Sequence, residues 1–193
     1  MYDVVAIGEL LVDFACRSTD DDGYPVLAAH PGGAPANFLA VLARYGLKTA
    51  LLAKVGNDAF GRLLRRTMER EGIDTAGVVV DDAAFTTLAF VTLDENGERD
   101  FSFARKPGAD MLLRYDELDL SLIDRTRVFH FGSVSMTDEP SRDATRRAAA
   151  YARSRGGLLT YDPNLRIPLW KDLAQARQEM LWGLSMADVV KLS

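Results

Sequence analysis

Short apolar runs alternate with amphipathic stretches along the chain. The apolar runs have the length of buried strands and lie at residues 2–8, 49–56, 77–80, 128–133, 158–164 and 187–192. Apolar residues recur at helical spacing in residues 35–45, 58–72, 139–157 and 171–184. Residues 9–14 either continue the first strand or start another. Strands that alternate with helices imply right-handed crossovers, so the pattern predicts an α/β fold with a mostly parallel sheet.

Residues 86–105 interrupt this alternation of strands and helices. Two runs of alternating polarity flank Glu95-Asn96-Gly97, a sequence typical of a hairpin turn. We therefore predict a β-hairpin that stands off the main sheet. Phe101 and Phe103 have one residue between them, so both side chains lie on the same face of this hairpin. Packing beneath the hairpin is the ordinary explanation for at least one of them.

The stretch "HPGGAPANFLAVLARYGL", residues 30–47, places two glycines before a helix. Pro35 suits the first turn of a helix, and Gly46 is a typical C-terminal stop. The glycine pair removes both Cβ atoms at the helix N-terminus, where free N–H groups favour polar or anionic ligands. The alternative is a tight loop-to-helix junction without a ligand.

Composition narrows the classes of function. The 193 residues contain 48% hydrophobic and 26% charged residues, which are values of a globular domain. A net charge of −5 argues against a nucleic-acid or membrane-surface partner.

Cys16 is the only cysteine, so no internal disulfide forms and a reducing cytoplasm is the simplest setting. The first residues carry acids, which argues against a signal peptide. With one cysteine, His30 and His130 do not make a convincing zinc site, and we expect both to be structural.

Polar residues follow the ends of several predicted strands, at residues 8–13, 56–58, 132–135 and 162–166. In open parallel sheets ligands bind outside the carboxyl ends of the strands, so these residues predict a site for a small polar ligand. Ordinary loop chemistry would give the same pattern. Residues 55–63 contain the G-x-x-x-x-G spacing of a phosphate-binding loop, but Arg62 and Leu63 replace the lysine and the hydroxyl residue. A Walker-type nucleotide site is therefore rejected here, and no dinucleotide fingerprint is present.

Several motifs together carry a family resemblance. They are "GELLVDF", "PGGAPANFLAVLARYG", "KVGNDAFGRLL", "GERDFSFAR", "FHFGSVSMTDEP" and "YDPNLRIPLW". In order and spacing they resemble the fructokinase branch of the ribokinase-like (PfkB) carbohydrate kinases, over essentially the whole chain. The resemblance implies a three-layer α/β sandwich with a mostly parallel central sheet and a small β-sheet lid near residues 9–30 and 86–106. It also implies transfer of the ATP γ-phosphoryl group to a sugar hydroxyl.

The resemblance further implies the residues of a site. The substrate-binding set would be Asp13, Gly32, Gly33, Asn37, Phe103 and Arg105, and the nucleotide or phosphate set would be Asn164, Arg166 and Ser193. Asp13 would accept hydrogen bonds from sugar hydroxyls, and Arg166 would bind anionic oxygens with its planar fork. Without the resemblance, Asp13 would be interpreted as a surface turn acid and Arg105 as a solvated strand end. Ala34 stands where relatives often carry a polar residue.

One family motif, D-T-x-G-A-G-D, does not occur in residues 1–193. In relatives it supplies the catalytic base and the anion hole, so we assign no catalytic residue here and expect the base beyond residue 193. On this interpretation the chain is the sugar-binding portion of a kinase domain and is inactive alone. The resemblance predicts ATP and Mg²⁺ as cofactors, with K⁺ as a further candidate.

Three interpretations of the function remain open at the level of sequence. The first is phosphorylation of fructose to fructose 6-phosphate. The second is the same reaction on 2-keto-3-deoxygluconate, ribose or a nucleoside. The third is a non-catalytic sugar-binding or dimerisation module. The resemblance also predicts a homodimer formed through the lid, whose strand edges are suited to pairing.

Overall fold

The structure is a computed structural model that describes residues 1–93 and 99–192. Its strands are β1 (Tyr2–Ile7), β2 (Leu11–Thr19), β3 (Pro25–Gly32), β4 (Thr49–Gly56), β5 (Ile73–Asp74), β6 (Val78–Asp81), β7 (Leu88–Leu93), β8 (Arg99–Ala104), β9 (Thr126–Gly132), β10 (Leu158–Asp162) and β11 (Val189–Val190). Its α-helices are α1 (Ala34–Arg44), α2 (Ala59–Arg70), α3 (Leu120–Asp124), α4 (Ser141–Ser154) and α5 (Leu173–Met186). The predicted hairpin turn at residues 95–97 and the predicted phosphate-site residue Ser193 lie outside the described residues.

The main sheet is parallel and has the strand order β11-β10-β9-β1-β4-β5, with β6 also paired to β4. β1 lies at its centre, between β4 and β9. The strands are joined by crossovers that contain the helices, as the alternation of apolar runs and amphipathic stretches predicts. The predicted α/β class with a mostly parallel sheet is confirmed.

Both faces of the main sheet are covered by helices. Along β1, Val4 and Ala6 pack with residues of α1 and α2, whereas Val5 and Ile7 pack with residues of α4 and α5. This division follows from the two-residue period of a strand, and burial on both sides explains why the strands are apolar throughout. The result is a three-layer sandwich.

A second sheet, with the order β3-β2-β7-β8, stands off the main one. β7 and β8 are antiparallel, which confirms the predicted hairpin strands. The sequence left open whether residues 9–14 continue β1; β2 instead begins at Leu11 and belongs to the second sheet. Phe14 of β2 packs edge-on against Phe60 of α2, with ring centroids 5.5 Å apart, so this contact helps to fix the second sheet on the sandwich.

The segment that resembled a phosphate-binding loop is a capped helix start. Asp58 accepts hydrogen bonds from the N–H groups of Phe60 and Gly61 at the first turn of α2, and is therefore the N-cap of this helix. The same carboxylate accepts from the N–H and hydroxyl of Thr86. Asp58 therefore joins α2 to the chain that leads into β7. Among the described residues, no helix is both long and apolar enough to cross a membrane.

Candidate functional site

A pocket of about 150 Å³ lies where the second sheet meets the carboxyl ends of β9 and β10. Its wall is built from β2, the start of α1, β8 and the loops that follow β9 and β10. The residues lining it are Glu9, Leu11, Asp13, Gly33, Ala34, Asn37, Phe101, Phe103, Val134, Asn164, Arg166 and Leu169. The predicted residues Asp13, Gly33, Asn37, Phe103, Asn164 and Arg166 are thus brought together, although they come from four distant parts of the sequence.

Asp13 and Arg166 give the pocket one negative and one positive charge. Asp13 is half-buried on β2, and this burial raises the pKa of its carboxyl group, while interactions with Arg166 and His30 lower it. The guanidinium of Arg166 lies over the ring of Phe101, 5.6 Å from its centroid. A carboxylate and a guanidinium on one small pocket suit a ligand that offers both hydroxyl donors and oxygen acceptors.

The two glycines have different geometric roles. Gly33 is the N-cap residue of α1 with φ of 109°, and a Cβ there would overlap the carbonyl oxygen of Glu9. A Cβ at Gly32 would overlap the carboxylate of Asp13. Gly32 thus makes room for Asp13, and Gly33 forms part of the pocket wall itself.

Asn37 lies in the first turn of α1 and is exposed. Its backbone N–H donates to the carbonyl of Gly33 at 3.0 Å, which fixes the residue relative to the turn. Within residues 1–93 and 99–192 its side-chain amide makes no hydrogen bond, so both its donor and its acceptor are available at the pocket.

Phe101 and Phe103 of β8 form the aromatic side of the pocket. Their rings are stacked, with centroids 6.3 Å apart and planes inclined by 14°, so the prediction that they share a face holds in the structure. Both rings line the pocket and give it an apolar wall on the side of the second sheet.

Arg105 does not line this pocket. Its side chain is buried and forms an ion pair with Asp110 at 2.7 Å, with further hydrogen bonds to the Thr137 hydroxyl at 2.9 Å and the Val134 carbonyl at 3.2 Å. The alternative of a solvated strand end is wrong, because the residue is only 4% exposed. Its role as a ligand of the substrate stays a prediction, since the guanidinium is directed to Asp110 and Arg105 does not line the pocket.

Asn164 and His130 also occupy defined places. Asn164 has a left-handed backbone with φ of 30°, and its N–H donates to the Asp162 carboxylate at 3.1 Å, so a tight turn presents it to the pocket. His130 is buried beside Phe38, with one ring nitrogen 2.9 Å from the Thr160 hydroxyl. Burial lowers the pKa of His130 to about 4, so the imidazole is neutral at pH 7 and serves packing.

Glu9 was not predicted as a site residue. It follows β1, is 3% exposed, and accepts the N–H of Ala34 through Oε1 at 2.8 Å. Its Oε2 has no hydrogen-bond partner among the described residues. Burial raises the pKa of this carboxyl group to about 7. Its position after a buried strand was the one available signal in the sequence, and a single acid in a loop does not show where its side chain goes.

Comparison with known proteins places the chain in a family. All of residues 1–193 match the pfkB family carbohydrate kinases. The chain belongs to that family. Fructokinase-1 from Zea mays is 46% identical over 192 residues, covering 98% of this chain and 59% of the maize protein.

Solved structures in the family align closely with this member. The crystal structure of fructokinase from Xylella fastidiosa gives a TM-score of 0.93 at 34% identity, covering 98% of this chain and 59% of that one. A structure from E. coli in complex with ATP and Mg²⁺ gives 0.88 at 28% identity, covering 100% and 62%. The chain therefore spans about 60% of the length of these relatives.

Proposed function

We propose that the protein phosphorylates a sugar hydroxyl with ATP, and that fructose is converted to fructose 6-phosphate. The observation that carries this proposal is the pocket itself, in which Asp13, Asn37 and Arg166 line one space of hexose scale. The family assignment supports the reaction class, and the fructokinase relatives from Zea mays and Xylella fastidiosa support the substrate.

Each pocket residue has its own chemical role in binding the sugar. The Asp13 carboxylate accepts hydrogen bonds from sugar hydroxyls, and the Asn37 amide both donates and accepts hydrogen bonds. Gly33 lets a hydroxyl approach the backbone, and the Phe103 ring packs against the carbon face of the sugar. The second sheet acts as a lid that excludes water, which strengthens each of these polar contacts.

Phosphoryl transfer needs groups that hold the transferred oxygens. Arg166 has the planar fork for two anionic oxygens, and Asn164 stands beside it on the pocket wall. When bound, Mg²⁺ neutralises phosphate charge, and the described residues hold no cluster of three metal-ligating side chains, so ATP itself would supply several of its ligands. The sugar hydroxyl loses its proton to a base that we place beyond residue 193. None of the residues that line the pocket indicates a K⁺ site.

The charges of the pocket favour a neutral sugar over an acidic one. The positive charge of Arg166 is balanced by Asp13, and Arg105 is already paired with Asp110. An acid such as 2-keto-3-deoxygluconate would bring a second negative charge without a free cation in the pocket wall. Fructose is uncharged and needs no additional cation in the pocket.

We expect Asp13→Ala and Asn37→Ala each to raise the KM for fructose roughly 5- to 150-fold, because each removes a hydrogen bond to the bound sugar, worth about 1–3 kcal/mol once the lid excludes water. The measurement is a coupled ADP-release assay on the protein as its gene encodes it, with fructose, ribose and 2-keto-3-deoxygluconate as acceptors. Asp21→Ala and Asn57→Ala change the same residue types in exposed segments and serve as controls. Unchanged KM values in both pocket variants would show that the sugar binds elsewhere.

We further propose a homodimer that forms through the second sheet, in a reducing cytoplasm that keeps the exposed Cys16 as a thiol. The edge strand β3 and the residue before it expose apolar side chains to solvent, with Tyr24 68%, Val26 45% and Leu27 37% exposed. Such an edge is suited to pairing with a second copy. Sedimentation equilibrium at micromolar concentration is expected to give a dimer, and Val26→Lys with Leu27→Lys is expected to give a monomer. A monomeric wild-type protein would contradict this arrangement.

A further inference from the structure

Glu9 holds the turn on which the sugar pocket is built. Its Oε1 accepts the N–H of Ala34, and its backbone carbonyl lies where a Cβ of residue 33 would be. Gly33, Ala34 and Asn37 all line the pocket, as does Glu9 itself. A change in the Glu9 side chain is therefore transmitted to the helix start that carries Asn37.

The charged groups around Glu9 supply no net positive charge to stabilise its carboxylate. The N–H groups of Ala34 and of Glu9 itself favour the ionised form, but burial outweighs them. The charged groups that face it are Asp110 and Arg105, and the positive charge of Arg105 is already matched by its ion pair with Asp110. Asp13 brings a further carboxylate to the same pocket, opposite Arg166. The neutral acid is the form that this environment accepts, in agreement with the raised pKa of the group.

The unpartnered Oε2 connects the charge of Glu9 to the pocket. A buried carboxylate oxygen without a hydrogen bond is strongly unfavourable when ionised, so the ionised form must acquire water. The pocket whose wall Glu9 forms is the adjoining space that can admit it. Water held there competes with a sugar hydroxyl for the same small volume.

We propose that Glu9 is a positioning residue that works as a neutral carboxylic acid, and that its ionisation weakens sugar binding. This inference rests on the proposed function, because it assumes that the pocket binds a sugar. It assigns to Glu9 a pH-dependent effect on the KM rather than a part in phosphoryl transfer.

The test is the pH dependence of fructose binding, measured as Kd by calorimetry and as KM on the protein as its gene encodes it. For the wild type we expect the KM to rise by up to roughly 100-fold between about pH 6 and about pH 9, since a single ionisation near pH 7 raises the KM by at most tenfold per pH unit above that pH. Glu9→Gln keeps an acceptor for the Ala34 N–H and cannot ionise. Its KM should therefore stay near the low-pH value of the wild type across this range, with kcat following the wild-type profile.

Matched variants separate the outcomes. Glu139→Gln, at an exposed glutamate, should keep the wild-type slope. Glu9→Leu should raise the KM at every pH because it loses the acceptor for Ala34; if it does not fold, Glu9→Gln decides alone. A slope that persists in Glu9→Gln would assign the titration to another group, and would overturn the inference while leaving the proposed function standing. Absence of fructose binding at every pH would overturn both.

Discussion

Replacement of Arg105 by alanine is expected to destabilise the fold by about 3–5 kcal/mol, because it leaves the buried Asp110 carboxylate without its counter-charge. The two side chains are almost wholly buried, with exposures of 3% and 2%. Asp110 would retain the Thr87 hydroxyl as a donor, at 2.5 Å, and would lose its only cation among the described residues. The shift in urea midpoint at constant slope measures this loss.

The chain offers a matched control for that prediction. Arg114 and Asp116 form an equally short ion pair, at 2.6 Å, but both side chains are more than half exposed. Arg114→Ala is therefore expected to shift the urea midpoint far less than Arg105→Ala does. The double variant Arg105→Met, Asp110→Leu should recover much of the loss, since paired charges replaced together by apolar groups leave nothing unsatisfied. Equal losses for Arg105→Ala and Arg114→Ala would show that the Arg105 pair is solvated.

The position of Arg105 shows what sequence patterns do and do not specify. The family resemblance led to an expected contact with substrate, whereas the place of Arg105 at the end of a hairpin strand indicated a solvated side chain. Its partner Asp110 lies in an irregular loop five residues later, where no periodicity indicates which way a side chain turns. Burial and pairing of a charge depend on the packing of several loops, and these become visible only in three dimensions.

The fold was predictable for a physical reason. A strand covered on both faces must be apolar throughout, and a helix lying on a sheet must be apolar along one stripe. The hydrophobic pattern therefore predicts the order of β1, α1, β4 and α2. The elements that the sequence did not predict are β5 and α3, with two and five residues. Segments this short have too few positions to show a period.

The candidate site was predictable only in part. The motifs led to Asp13, Gly33, Asn37 and Arg166, which the pocket brings together. Glu9 was missed because its importance comes from burial and from a missing partner, and neither property is encoded at a single position. The same two properties give Glu9 a measurable effect on stability.

The last expected result is that Glu9→Gln stabilises the protein progressively as the pH rises. The ordinary pKa of a glutamate is 4.5, and in the folded protein burial raises that of Glu9 to about 7. Between these values the folded protein binds more protons than the unfolded chain, so the contribution of Glu9 is fully present below 4.5 and is lost as the pH rises through 7. Over this pH range the free energy of unfolding of the wild type falls by about 3 kcal/mol relative to that of Glu9→Gln.

Urea unfolding of wild type and Glu9→Gln between about pH 4 and about pH 8 measures this effect as a difference between the two proteins. The difference is the informative quantity, because His130 acts in the opposite direction: its lowered pKa of about 4 makes the folded protein lose stability as the pH falls below the ordinary histidine value. That contribution is common to both proteins and cancels. From the low to the high end of this pH range, the free energy of unfolding of Glu9→Gln should rise by about 3 kcal/mol relative to that of the wild type. For Glu139→Gln the difference from the wild type should stay constant. A constant offset for Glu9→Gln as well would mean that the Glu9 carboxyl is ionised in the folded protein throughout, with a partner for Oε2 that compensates its charge.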